Sequence, residues 1–155
     1  MFVVTHATIG ALIGEALPTH PVIAFVLAFI VHFFTDMIPH GDTHLYRGYI
    51  SGSKIKKAVI IQAVDTLVMV AFVIYLFTRV IVNHRMAVAM GVIGGVLPDA
   101  LAASYELFHF KWLKWFHTMH FFFHNLINKR TGDLPLVAGM IMEVGVLSTL
   151  LFFVI

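Results

Sequence analysis

The chain contains no cysteine, which excludes disulfides and thiolate metal sites and leaves the compartment open. Charge is scarce too: Asp, Glu, Lys and Arg make up 12% of 155 residues, against 60% hydrophobic ones, and the mean hydropathy is +0.94. A soluble domain of this size would leave large apolar patches in water. The composition therefore excludes that class and implies a single helical membrane domain over residues 1–155. A net charge of only +2, with the basic residues grouped near segment ends, argues against nucleic acid as a partner. No stretch sustains the alternation of a strand, so the expected fold class is all-α. The sequence also lacks a Ser-His-Asp nucleophile pattern, a phosphate-binding P-loop and a dinucleotide fingerprint. Its opening, Met1 to Pro18, has neither a basic n-region nor a small-x-small cleavage pattern, and is expected to be a retained helix.

What is present is a set of five apolar segments. The first, Phe2 to Leu17, would rise roughly 24 Å as a helix, short for a full span. The second runs from Pro21 to Ile38 and begins with a helix-compatible proline. The third, about Ala58 to Val82, is the clearest span. The fourth, Met86 to Leu97, meets Pro98-Asp99 and can continue to about Leu107; the fifth runs from Leu134 to Ile155. Between these last two, Phe108 to Asn128 mixes aromatics, lysines and histidines in the pattern of an amphipathic helix lying in the membrane interface. The expected architecture is thus a polytopic membrane protein of about four to five transmembrane helices plus that interfacial helix.

Arg47, Lys54, Lys56 and Lys57 follow the second segment, and Lys111, Lys114, Lys129 and Arg130 follow the fourth; only Arg79 and Arg85 lie elsewhere. The positive-inside rule then turns the two basic loops to the cytoplasm. If the short first helix crosses, the N-terminus is inside and the C-terminus outside.

Ten histidines and eight acidic residues are the anomaly in so apolar a chain. Placed on the segments, His6, Asp36, Asp65, Asp99, His117, His120, His124 and Glu143 fall toward one leaflet, the inner one, while Glu15, His20 and His84 fall on the other side. Ionisable side chains at membrane depth are expensive and are usually paired, facing a cavity or binding something. His32 and Asp36 share one helical face, as do His120 and His124 with His117 one turn earlier. Such spacing presents imidazoles and a carboxylate to one ion at about 2.0–2.2 Å if it is zinc, or lets the carboxylate orient a ring from behind. Interfacial histidines that bind nothing are the plain alternative for one pair; six or more at one depth favour a metal site. Asp65 costs roughly 2.5–3.5 kcal/mol to insert, which a ligand or general-base role, or a buried bond to Gln62 or Thr66, would offset. Glu143 can be satisfied by a helix-helix hydrogen bond. Gly10 and Gly14 read as close helix packing that would bring His6 against a neighbour. His44 and His109 are expected at the solvent or interface. The turns Met37-Ile38-Pro39-His40-Gly41-Asp42 and Val96-Leu97-Pro98-Asp99 hint at two related helical hairpins.

The run Thr5-His6-Ala7-x-x-Gly10, the block His32-x-x-x-Asp36-x-x-Pro39-His40, Leu97-Pro98-Asp99 and the later paired-histidine segment resemble, in order along most of the chain, the small prokaryotic membrane-bound metal-dependent hydrolases. These are described as inner-membrane hydrolases near the zinc-dependent phospholipase C-like proteins. The resemblance implies His6, Asp36, His40, Asp99, His117 and His120 as metal-site residues. The family's His-Arg-Gly-x-Thr-His-Ser run reads Phe116-His117-Thr118-Met119-His120-Phe121 here, so its arginine has no counterpart. With His32 and His124 added by spacing, the expected set would hold one or two divalent ions, zinc first, with manganese or iron as alternatives. Such an ion acidifies water and polarises a phosphoryl or acyl oxygen, and Asp65 or Asp36 would accept the proton. Lys54, Lys56, Lys57, Lys111 and Lys114 would attract anionic headgroups, with Lys54, Lys57 and Lys111 as the candidate substrate contacts. The expectation is a lipid phosphoester hydrolase in the prokaryotic inner membrane, with its metal site on the cytoplasmic side and membrane lipid as partner; a homo-oligomer stays open. The alternative is a non-enzymatic metal-binding or metal-transporting membrane protein. Transport would need polar residues continuing to the far side, where only Glu15, His20 and His84 lie.

Overall fold

The computed structural model describes residues 1–79, 82 and 84–154, and among them the secondary structure is helical throughout, with no strand. The helices are α1 (Val3–Ala16), α2 (Pro21–Asp36), α3 (Thr43–Ile50), α4 (Ile55–Arg79), α5 (Arg85–Phe108), α6 (Lys114–His124), α7 (Asn128–Thr131) and α8 (Leu136–Val154). The expected ends of the third and fifth apolar segments reach residues 80, 81 and 155, outside the described residues. Three helices, α4, α5 and α8, are long and apolar enough to cross a membrane. At 14 and 16 residues, α1 and α2 rise only about 21 and 24 Å, short of a hydrocarbon core of about 30 Å. Against the four to five spans expected, three helices are thus of spanning length and two further apolar ones are shorter.

The outside of this bundle is apolar. Leu67, Ile60, Val137, Ile141 and Phe152 on α4 and α8 are exposed, which suits a lipid surround and no aqueous one. Helix α2 shows the inversion most clearly. Its exposed positions are Val22, Ile23, Val26, Leu27, Ile30 and Phe34, while its buried stripe, at four-residue spacing, is Ala24, Ala28, His32 and Asp36. Small residues bring the backbone close to its neighbour, and the two polar ones follow on the same face.

Although the shortest of the apolar helices, α1 is the central one, packed against α2, α4, α5 and α8. Being enclosed on several sides, it is built from small residues: Thr5, Ala7, Thr8, Gly10, Ala11 and Gly14 are all buried. At Gly10 and Gly14 the α5 backbone lies so close, at Gly91 and at Ala87-Val88, that a Cβ would overlap it. A Cβ at Gly95 would lie 2.5 Å from the His6 carbonyl oxygen. The expected glycine packing of the first segment is thus made with α5, running antiparallel. Beyond it Ala7, Ala11, Leu76, Val82, Val88 and Val92 form the apolar core.

The start of α1 is inside the protein, where its unpaired N–H groups need acceptors. Neighbouring helices supply them. Asp65 of α4 accepts from Val3 N (2.7 Å) and Val4 N (3.4 Å), and Glu143 of α8 from Phe2 N (3.3 Å) and Thr5 Oγ1 (3.0 Å). This fixes the cost that made Asp65 conspicuous: a carboxylate at membrane depth is offset by capping a helix dipole.

Pro98 does not end α5, which continues to Phe108. The two Pro-Asp turns therefore differ, one a loop after α2 and the other mid-helix, and the hint of related hairpins is not met. What ends α5 is His109, left-handed at φ 54°, whose N–H returns to Tyr105 O (2.8 Å). The chain then turns through Lys111–Leu113, burying Leu113 and exposing Trp112, into α6, which buries Phe116, His120 and His124 and exposes Trp115 and Phe122.

Candidate metal centre

Among the described residues, two groups of side chains able to hold a metal ion form where α2, α5 and α6 meet: His32, Asp36, Asp99 and His120, and Asp36, His40 and His124. Within each, the ligand atoms lie within 4.8 Å of one another. In the first group His32 Nε2 and His120 Nε2 are each 3.6 Å from Asp99 Oδ1, and His120 Nε2 is 3.6 Å from Asp36 Oδ2. Four ligands at about 2.0–2.2 Å around a tetrahedral zinc-sized ion stand roughly 3.4 Å apart. Those three separations would need to contract by only tenths of an ångström.

Hydrogen bonding leaves the ring nitrogens as lone pairs. His32 Nδ1–H donates to Gly95 O (2.8 Å) and His40 Nδ1–H to Ile38 O (2.7 Å), so each neutral ring presents Nε2 as an acceptor. The single Thr35 hydroxyl proton goes to the α2 backbone, at Val31 O or His32 O, so Thr35 Oγ1 accepts from His6 Nδ1–H (3.3 Å). His6 Nε2 is consequently another lone pair, 3.5 Å from Asp36 Oδ1. His6 Nε2, His32 Nε2, His120 Nδ1, His124 Nδ1 and Asp42 Oδ1 are buried without a hydrogen-bond partner. Among these, His6 Nε2 and His32 Nε2 are acceptors, and buried acceptors left unpartnered are costly unless a cation fills the space between them.

Asp36 belongs to both groups. Its Oδ1 lies 2.5 Å from the Met1 nitrogen, which is also 2.6 Å from His40 Nε2. A cation between Asp36 and His40 would require that first residue to move. Asp42 ties the second group together, 3.3 Å from His40 Nε2 and 3.1 Å from His124 Nε2. Burial alone would raise the Asp42 carboxyl, but the bond from His124 and the nearby His40 ring outweigh it and hold it well below the ordinary range. Burial likewise opposes charge on His124, yet the bond to Asp42 and the nearby Asp36 raise its pKa; His120, with burial dominant, is lowered.

The other sequence candidates stand apart from these groups. Asp65, the expected general base, is committed to the α1 cap. His117, an expected ligand, instead holds Glu106 Oε1 through Nε2 (2.5 Å); the same oxygen accepts from Tyr46 OH (2.8 Å). His6 adjoins the first group through Asp36 without belonging to it. Lys54, Lys57 and Lys111 are exposed, as are His44 and His109. Two participants escaped sequence reasoning. Asp42 was visible beside His40 but carried no helical spacing to either histidine, and Asp133, described below, lies far away in sequence.

Fold and site together define a class: among the described residues, an all-helical protein with three helices of membrane-spanning length and buried His/Asp groups that can hold a metal ion. No family model, curated protein or solved structure matches the chain.

Proposed function

We propose that this protein is a membrane-embedded metal-dependent hydrolase acting on a phosphoester of a membrane lipid. The observation that carries the reading is the cluster of buried, unpartnered imidazole nitrogens around Asp36 and Asp99. His32, Asp36, Asp99 and His120 would hold one divalent ion, and Asp36, His40 and His124 a second, with zinc the favoured metal from the nitrogen and oxygen donors. When bound, the metal polarises a phosphoryl oxygen and makes water acidic enough to attack near neutral pH.

The side chains supply the rest. Asp36 is enclosed, whereas Asp99 and Asp42 are 23% and 38% exposed in their side chains, so water and substrate enter from their side. Proton acceptance then falls to Asp99, the open carboxylate of the better-formed group. Eight of the ten basic residues lie in the stretches 47–57 and 111–130, where they favour anionic headgroups and, by the positive-inside rule, a cytoplasmic face of a prokaryotic inner membrane.

The transport form of the alternative has little support, because away from the site the helices close backbone to backbone at Gly10, Gly14 and Gly91. Non-enzymatic metal binding is the rival to test. Purified protein and its Asp36→Ala variant should be compared for metal content by elemental analysis, and for release of phosphorylated headgroup or diacylglycerol from mixed phosphatidylcholine–phosphatidylglycerol vesicles. The proposal expects both to fall in the variant. Unchanged metal content refutes the metal site, and metal loss without any turnover by the parent favours the binding-only rival.

A further inference from the structure

The two groups share Asp36 but are built on different scaffolds. His32, Asp99 and His120 stand on α2, α5 and α6 and need no loop to place them. His40 and its partner Asp42 lie in the segment between α2 and α3, with only Gly41 between them. A glycine-centred loop of this kind does not hold a ring nitrogen to a few tenths of an ångström by itself.

The stretch 128–139 holds it. Asp133 Oδ1 accepts from Gly41 N (2.9 Å) and Leu134 N (2.8 Å), and Asp133 Oδ2 accepts from Thr43 N (2.9 Å). One carboxylate therefore grips the backbone on both sides of Asp42. Asn128 Nδ2 donates to Thr43 Oγ1 (3.2 Å). Gly41 has φ +88°, and a Cβ there would stand 3.0 Å from the Leu136 Cα and the Pro135 oxygen. Gly139 abuts the His40 carbonyl with no space for a Cβ. The loop is seated against the turn into α8 from both its edges.

We propose that Asp133 is a positioning residue for the second cation position: it fixes the His40–Asp42 loop so that His40 meets Asp36 and His124. The inference rests on the metal-binding part of the functional proposal, not on hydrolysis. It assigns the two positions separate supports, so the second can be lost while the first survives.

The test is a titration of metal-stripped, detergent-purified protein with Co2+, followed by its visible absorption, and with Zn2+ by calorimetry. The parent is expected to take up two equivalents. Asp133→Ala is expected to keep the first at parental affinity and to bind the second about 10–100-fold more weakly, the usual cost of removing an outer support of a ligand. Asp133→Asn, which keeps one acceptor oxygen, should lie between them. Gly41→Ala, which strains the loop without touching the carboxylate, should weaken the same equivalent. Retention of the first equivalent reports that the variant is folded. Two equivalents at parental affinity in Asp133→Ala overturn the proposal, as does loss of both equivalents together, which would make Asp133 a general stabiliser. A parent that binds one equivalent overturns the two-position reading itself, and a parent that binds none overturns the metal site.

Discussion

Replacing Asp65 by alanine separates a capping role from a catalytic one. The substitution leaves Val3 N, bound at 2.7 Å, and Val4 N, bound at 3.4 Å, without their acceptor inside the protein. Loss of a helix N-cap costs about 1 kcal/mol, and a buried donor left unsatisfied about 1–3 kcal/mol. The second bond is long and contributes less, and Glu143 still serves Phe2 and Thr5. The expected destabilisation is therefore about 2–4 kcal/mol. At roughly 3 °C per kcal/mol for a chain of this size, the midpoint falls by roughly 6–12 °C. Heating the detergent-solubilised protein and measuring the surviving monodisperse peak by size-exclusion chromatography gives that midpoint. Asp65→Asn retains a carbonyl acceptor and should recover about half of the loss. Metal content measured below the midpoint should match the parent in both variants. An Asp65→Ala protein with an unchanged midpoint but lost metal or lost turnover would refute the capping argument and restore Asp65 to the site.

Three further outcomes are expected. Asp36→Asn should remove both metal equivalents, because Asp36 is common to both groups, whereas Asp99→Asn should remove the first alone; elemental analysis reads the difference. Gly91→Ala forces a Cβ onto the Gly10 carbonyl of α1 and should destabilise by about 1–3 kcal/mol, as overpacking does, lowering the thermal midpoint, while Gly52→Ala, where a Cβ meets nothing but φ is +79°, serves as a packing control. Although burial works against its charge, the backbone N–H bonds lower the Asp133 carboxyl. Its stabilisation is present in full above the ordinary carboxylate value of 3.8 and is lost as pH falls through its lower folded value. Thermal midpoints of the parent and Asp133→Asn should differ at neutral pH and converge in that acid range; a constant gap across it would contradict the assignment.

Periodicity carried the long elements well, since a bilayer leaves helices as the only economical way to satisfy an isolated apolar segment. The third and fifth segments and the interfacial stretch correspond to α4, α8 and α6. The short α3 carried no apolar run to mark it. Helical spacing also pointed to the His32/Asp36 and His120/His124 pairs, because a four-residue interval fixes a shared face whatever surrounds it. The same rule pointed to His117, three residues before His120, yet its ring is taken by Glu106 from α5, a partner that no spacing rule reveals. Asp65 and Asp36 are alike in sequence as lone carboxylates in apolar helices. What distinguishes them is which helix end each meets, and that is decided by packing across the bundle.

The cap on α1 has a consequence for biogenesis. α1 precedes both partner helices in the chain: one acceptor for its leading turn lies 62 residues from Val3 on α4, and another lies 138 residues from Thr5 on α8. Too short to span alone and carrying a histidine, the segment has no satisfied resting place in lipid until those helices arrive. The central rod is therefore fully seated only once α8 is in place.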